Sequence, residues 1–249
     1  MAGWDDLEAE LSAWRRGGAV ATFWWRDDDA VRVTPEVERL LSLSSDSDVP
    51  LGLAVVPRDA DPALARRLMP EERVFVLVHG FGHVNHAPPG EAADEYGPHR
   101  SPEVRLGELA KARGLLSSFP RTLPVLVPPW NRIDEDLIPR LPGIGLTALS
   151  AMGCREPSAS ATPVRRLNVH VDLLHWEEGR FLGEAPCLDQ VLSHLVARRT
   201  GAADPLEPTG IMSHHGWHDE GCWGFLGELF RRTRIHGAAR WLSPAEALS

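Results

Sequence analysis

From Ala19 onward the chain alternates short apolar runs with amphipathic stretches, and this alternation is its main structural signal. The runs AVATFWW, PLGLAVVP, RVFVLVHG, TLPVLVPPW, GLTALSAM, RRLNVHVDLL and TGIMSHH give seven strand candidates. Between them, residues 35–43, 62–68, 102–119, 135–141, 188–199 and 223–236 are helix candidates. Several open on Pro or follow Thr, Ser or Asp, residues suited to the unsatisfied N–H groups at a helix start. Strand and helix in turn predict a parallel sheet. The segments VFVLV and LPVLV are apolar without alternation, so both faces of these strands are covered, as in a barrel or a doubly wound sheet. Ahead of the series, Trp4, Leu7, Leu11 and Trp14 form a stripe at three- and four-residue spacing. It predicts a short helix within residues 1–18 that packs on the body as a lid or brace.

Two stretches break the rhythm. Residues 79–100 are rich in Gly, Pro and His, and residues 153–162 in Ser, Ala and Pro; loops of this length are more often functional than merely connecting. The 249 residues fit one domain without internal repeat or linker. A net charge of −9 with scattered Lys and Arg argues against a nucleic-acid partner. No run approaches the roughly 18 apolar residues of a membrane span. The acidic N-terminal stretch lacks the apolar centre of a signal peptide, so the expectation is a cytoplasmic protein with no membrane partner. Cys154, Cys187 and Cys222 are odd in number and far apart, which fits reduced thiols better than a disulfide framework or a Cys-based zinc site; they receive no role.

The unusual polar residues fall at the C-terminal ends of the strand candidates. They are Arg26-Asp27-Asp28-Asp29, then His79 with His83, Asn85 and His86, then Pro128-Pro129-Trp130-Asn131-Arg132, then His170 and Asp172, and last His214-His215 with Trp217 to Asp219. In a parallel barrel all such ends meet on one face. A run of aspartates is usually a solvated loop or helix cap, but these follow a very apolar strand and repel one another unless a cation or Arg stands near. His79 and His83, four residues apart, suit two ligands of one ion; the intervening glycines and the lack of a following Glu exclude the zinc-protease helix. Asn85 and His86 read equally as residues that orient a ligand and as surface loop. The His214-His215 pair predicts one catalytic imidazole, and Trp130 reads either as packing or as the wall of a sugar pocket. Two imidazoles and one carboxylate leave room on an ion for water and substrate, and a further carboxylate and imidazole supply base and acid, which together point to amide or ester hydrolysis.

In order, the Asp pair after the first strand, His-x-x-x-His after the third, Pro-Pro-Trp after the fourth, an Asp followed by Trp, and a final strand ending in His resemble the polysaccharide deacetylase family over Thr22 to Asp219. The resemblance implies a single distorted (β/α) barrel and removal of acetyl groups from chitin-like or peptidoglycan-like sugars. It implies Asp28 as base and His214 as acid, with Asp29, His79 and His83 holding a divalent metal. Zn²⁺ suits these donors best, and Co²⁺, Ni²⁺ or Mn²⁺ also fit. Pro129, Trp130 and Asn131 would line the substrate groove, with the Trp130 backbone N–H directed to the oxyanion. Asp172 would orient the acid, His86 would support the ligands, and His215 competes with His214 for the acid role. The sequence departs from the family at Val127, where an Arg pairing with the base is usual; Arg26 or Arg132 is expected to replace it. The expected cytoplasmic location turns the substrate away from cell wall toward a small-molecule or oligosaccharide substrate such as an acetylated sugar or glycan precursor. Two alternatives remain: a hydrolase of non-sugar C–N bonds such as cyclic imides, and a metal-bound, inactive carbohydrate-binding protein. The presence of both Asp28 and His214 argues against the latter.

Overall fold

A computed structural model describes residues 2–155 and 163–249. Of the expected loop at 153–162, residues 156–162 lie outside the described residues. The elements run α1 (Trp4–Arg16), β1 (Ala21–Ala30), α2 (Pro35–Ser47), β2 (Leu51–Val55), α3 (Pro62–Leu68), β3 (Val74–His79), α4 (Pro102–Leu115), β4 (Thr122–Val127), β5 (Ala148–Leu149), β6 (Arg165–Arg166) and β7 (Val171–Asp172). A small antiparallel hairpin, β8 (Leu174–His175) and β9 (Arg180–Phe181), precedes α5 (Glu184–Thr200), β10 (Thr209–Ser213), α6 (Glu220–Ile235), β11 (Ala239–Trp241) and α7 (Pro244–Ala247).

The large sheet has the order β6-β5-β4-β3-β2-β1-β10-β7, with β11 added beside β1, and every pairing in it is parallel. Its two ends are pieces of one extended stretch, residues 165–172. On one side Leu167 N–H donates to Leu149 O (3.0 Å) and Val169 N–H to Ala151 O (2.9 Å); on the other His170 N–H donates to Gly210 O (2.8 Å). The stretch therefore leaves β5 and joins β10, which curls the sheet into a barrel of seven parallel strands. The single strand expected at 165–174 appears as two short pieces because it changes partner midway.

Alternation along the strands separates two apolar layers. Trp24, Ala54, Leu77, Val125, Val127, Leu167, Val169 and Met212 fill the interior, and Trp24 Nε1–H donates across it to Asn168 O at 2.8 Å. Phe23, Trp25, Leu51, Leu53, Val76 and Val78 face outward into the larger core beneath the helices. Helices α2, α3 and α4 begin as the sequence predicts, with Thr34, Asp61 and Ser101 accepting from first-turn N–H groups; α6 begins three residues before the expected 223, where Asp219 accepts from Cys222 N–H. The expected helix at 135–141 is instead a 3-10 helix, Glu135–Ile144, because Pro139 and Pro142 each remove a backbone donor. The N-terminal helix packs on α5, with Glu10 gripping Arg199 at 2.7 Å. Among the described residues no helix is long and apolar enough to cross a membrane.

The ring closes over Gly210, whose position admits no side chain: a Cβ there would lie 2.4 Å from Trp24 Nε1 and 2.5 Å from Asn168 O. Gly210→Ala should cost about 1–3 kcal/mol as an overpacked core substitution. The melting temperature should fall by several degrees, at roughly 2–4 °C per kcal/mol for a chain of this size. Gly107→Ala, on α4 with nothing within 4 Å of the new Cβ, should leave it unchanged or raise it slightly. Thermal denaturation followed by circular dichroism checks both.

Candidate active site

Strand β1 carries the aspartates within its own length rather than after its end, as the sequence pattern suggests. Regular alternation would put Asp28 inward and Asp27 and Asp29 outward. The register against β2 slips here: Asp27 pairs with Leu53 and Ala30 with Val55, so β1 spends one extra residue in a bulge. Asp29 absorbs it with φ of 73°. The bulge re-aims the strand so that Asp28 and Asp29 both line one cavity.

That cavity, of about 690 Å³, is lined by Asp28, Asp29, His79, His83, Trp130, Asn131, Arg132, Met152, Asp172, Trp176, Met212, His214 and Trp217. His79 is the last residue of β3. Its Nδ1 lies 3.0 Å from Val127 O, and because a carbonyl only accepts, Nδ1 carries a proton and Nε2 is the atom turned to the cavity. Nε2 of His79 stands 3.0 Å, and Nε2 of His83 3.3 Å, from the same Asp29 Oδ1. The loop carrying His83 is held from beneath by Glu95, a buried carboxylate that accepts from Phe81 N–H (3.1 Å) and Gly82 N–H (2.8 Å). Gly80, at φ 59°, is required there, since a Cβ would fall 2.2 Å from Glu95 Oε2. Nothing in the sequence singled out Glu95, which is one of three acidic residues, with Glu91 and Asp94, late in a long Gly-rich loop.

Among the described residues, four of the six non-glycine residues with positive φ belong to this site: Asp29, His83, Trp130 and Asn131. Left-handed backbone costs about 1–2 kcal/mol per residue, and its concentration around one cavity marks a place where geometry outranks stability.

Asp29, His79 and His83 offer one donor atom each, all within 4.8 Å of one another. Burial pushes the Asp29 carboxyl up, but the hydrogen bond with His79 and the charges of His79, His214 and His83 outweigh it and hold the group well below the usual carboxylate range. Burial pushes His79 down, yet its hydrogen bond to Asp29 and the charges of Asp28 and Asp29 raise it. His83 is lowered by burial and by the charge of His79. One anionic oxygen facing two imidazole nitrogens, with the His79 tautomer fixed from behind, is a donor set that fits a divalent transition ion.

Beside this set lies Arg26, inside the barrel and fully buried. Its guanidinium donates to Asp28 Oδ2 (2.9 Å), Asn131 Oδ1 (2.7 Å), Ser150 Oγ (2.8 Å) and Ser150 O (3.2 Å). Arg26, and not Arg132, therefore pairs with Asp28; Arg132 lies at the cavity rim and donates to Ala93 O at 2.8 Å. The other oxygen of Asp28, Oδ1, is buried without a hydrogen-bond partner. His214 Nε2 approaches Asp28 Oδ2 at 3.9 Å, and the Trp176 ring meets the His214 ring edge-on, centroids 4.7 Å apart.

Several expectations change. His215 is not in the cavity: it faces outward, with Nδ1 2.5 Å from Asp27 Oδ1, while Ser213 Oγ donates to Asp27 Oδ2 at 2.6 Å. Asp172 lines the cavity but does not hold His214; its oxygens accept from Leu174 N–H (3.1 Å) and Trp176 Nε1–H (2.8 Å), and His214 Nδ1 has no hydrogen-bond partner. The His86 side chain does not line the cavity, and its backbone N–H donates to Asp94 O at 2.8 Å. Asn131 does line it, with its amide spent on Arg26 and on Met212 S (3.4 Å). Trp130 stands against His83, ring centroids 4.4 Å apart, so it walls the ligand side of the cavity. Trp217, unassigned by the sequence, joins Trp176 at the rim with centroids 6.1 Å apart, and both are about half exposed.

No protein-family model matches the sequence, and no curated protein matches it. Solved structures do. A Mycobacterium smegmatis protein named for polysaccharide deacetylase superposes with a TM-score of 0.67 at 13% identity, covering 92% of this chain and 88% of its own. A family 4 carbohydrate esterase from Streptomyces lividans, in complex with acetate, gives 0.58 at 13% identity, covering 91% and 95%. A CE4 family pseudoenzyme from Bacillus anthracis gives 0.56 at 13% identity, covering 93% and 66%. The architecture is thereby identified: this chain has the polysaccharide-deacetylase fold, a distorted (β/α) barrel.

Proposed function

We propose that the chain is a metal-dependent hydrolase that removes acetyl groups from N-acetylated sugars or glycan precursors. The observation that carries the reading is the convergence, in one cavity, of the Asp29, His79 and His83 donors with Asp28 and His214. In this reading Asp29, His79 and His83 hold the ion, with Zn²⁺ the first choice for two nitrogens and one oxygen. Bound there, a divalent ion supplies Lewis acidity, polarising the acyl oxygen and making water more acidic. Asp28 takes a proton from the attacking water through its unpartnered Oδ1 while Arg26 holds Oδ2. The new C–O bond forms, the C–N bond breaks, and His214 delivers a proton to the departing nitrogen, leaving acetate and an amine. The Trp130 N–H is the donor assigned to the acyl oxygen, an interaction worth about 3–4 kcal/mol when preorganised. Trp176 and Trp217 at the rim give a sugar ring apolar faces to stack on.

Acetate release from N-acetylglucosamine oligomers by protein loaded with Zn²⁺, set against a panel of cyclic imides, tests the activity. Acetate should appear with the oligomers, stop after chelation and return with metal; imide opening without acetate release would move the chain to the non-sugar reading, and silence on both panels to the inactive one. Native protein should hold an ion that Asp29→Ala and His79→Ala each lose from this site.

Asp28→Asn should keep that ion yet lower turnover by about 10²–10⁴-fold, the usual share of a general base. Arg26→Met should also cut turnover strongly, whereas Arg132→Ala should change it little; a severe loss in Arg132→Ala with wild-type Arg26→Met would reverse the pairing argued here.

The outward pair predicts a pH signature separate from catalysis. For Asp27, burial pushes the carboxyl up, but the charge and hydrogen bond of His215 bring it below its ordinary 3.8. For His215, burial pushes down, while the charge and hydrogen bond of Asp27 raise it above 6.5. The Asp27 contribution is present above 3.8 and lost as pH falls through its lower folded value; the His215 contribution is complete below 6.5 and lost as pH rises through its higher one. In chelated protein, the melting-temperature gap between wild type and His215→Asn should be wider near about pH 5.5 than near about pH 9. A gap that does not narrow at the higher pH would contradict the ionised pair.

A further inference from the structure

A second set of donors lies outside the catalytic cavity, on the seam where residues 165–172 pass from β5 to β10. Cys154, His170, His194 and Glu207 bring one donor atom each within 4.8 Å of one another. They come from the loop after β5, the seam strand, α5 and the segment leading into β10, and a groove of about 440 Å³ lined by Cys154, His170, Gln190 and His194 gives access.

The hydrogen bonds sort these residues. His170 Nδ1 accepts from Gly210 N–H at 3.0 Å, so its ring proton is on Nε2, which lies 3.4 Å from Glu207 Oε1 without a hydrogen-bond partner. His170 thus faces the carboxylate with an N–H and offers no lone pair to an ion. His194 has Nδ1 2.9 Å from Thr209 Oγ1, and Thr209 Oγ1 also takes Arg198 Nη1–H at 3.1 Å. His194 Nε2 is buried, has no hydrogen-bond partner, and stands 3.9 Å from Glu207 Oε2. The Thr209 hydroxyl accepts from Nδ1–H in one tautomer of His194, and that tautomer turns the Nε2 lone pair to Glu207. A separation of 3.9 Å is too long for a hydrogen bond, whereas two ligands of one cation sit near such a spacing. Glu207 is itself fully buried, its oxygens fixed by Arg155 N–H at 3.0 and 3.2 Å.

We propose that Cys154 Sγ, His194 Nε2 and the Glu207 carboxylate bind a second transition-metal ion of the Zn²⁺ class, with the His170 N–H beside the carboxylate. Thiolate, imidazole and carboxylate together favour Zn²⁺ over the hard, oxygen-seeking Mg²⁺ and Ca²⁺. An ion here would tie the loop after β5 and α5 to the seam that closes the barrel. Met152 lines the catalytic cavity and Cys154 the second groove, so the tie also steadies one wall of the active site.

The test separates the two sites. The double variant Asp29→Ala/His79→Ala, purified with Zn²⁺, should retain one ion per chain by elemental analysis. Loaded with Co²⁺ instead, it should show a thiolate-to-cobalt charge-transfer band in the near ultraviolet that Cys154→Ser removes. Conversely, Cys154→Ser/His194→Ala should keep the catalytic ion alone and melt several degrees lower than zinc-loaded wild type. Cys154 is exposed, so Cys154→Ser by itself leaves the packing intact and gives a reading even where His194→Ala does not fold. A double variant free of metal, or a cobalt band that persists in Cys154→Ser, overturns the second site without touching the first; loss of metal only from the catalytic donors would spare the hydrolase reading.

Discussion

Neighbouring residues on a strand face opposite ways, and a two-carboxylate site drawn from one strand has to break that rule once. The bulge at Asp29 is the break, and most of the site follows from it. Asp27, before the bulge, keeps its outward orientation and is sealed beneath the helices with His215 and Ser213. Asp28 and Asp29 share the cavity. At the end of β10 the same alternation runs unbroken, so His214 turns in and His215 turns out. One interruption on β1 and none on β10 thus divide five titratable residues into a set that lines the cavity and a set buried on the outer side of the sheet.

Facing two carboxylates into a barrel creates a charge problem that the interior must answer. A guanidinium withdrawn from water is costly unless its donors are matched, because desolvation of an ion outweighs a single contact. The two terminal nitrogens of Arg26 meet this condition with acceptors on β1, on the loop after β4 and beyond β5, drawing Asp28, Asn131 and Ser150 to one point, while its Nε stays without a partner. On the other side His79 and His83 face Asp29. The left-handed residues around the cavity are held by Glu95 under the His83 loop and by the closed ring of strands beneath all of them.

Much of this was legible in the chain because strand ends are written in composition. Apolar runs located the seven strands, and polar residues directly after them located the face that carries the cavity. What stayed hidden depends on angles that composition does not encode. The bulge is invisible in DDD, since any of the three could take the extra residue. Glu95 acts through backbone N–H groups, which carry no sequence signature. Asp172 looked like an orienting partner by position alone, but Trp176 and the Leu174 N–H occupy it. Cys154 was set aside because no second cysteine is near it in sequence; its companions are a histidine on α5 and a glutamate before β10, brought together only by ring closure.

Low identity over nearly the whole chain shows what the fold keeps fixed and what it lets move. The family resemblance expects an arginine at position 127, on β4, where this chain has an interior valine. The guanidinium instead comes from position 26 on β1. Val127 faces the barrel interior, and Arg26, also inside the barrel, reaches Asp28 from β1. The structural neighbours include a pseudoenzyme, which means that the barrel alone argues nothing about hydrolysis. What favours hydrolysis is Asp28, which keeps one oxygen buried and unpartnered, between a fixed arginine and an imidazole, beside three donors that share a single focus. Packing alone has no use for a carboxylate left in that state, since an unsatisfied buried acceptor costs about 1–3 kcal/mol.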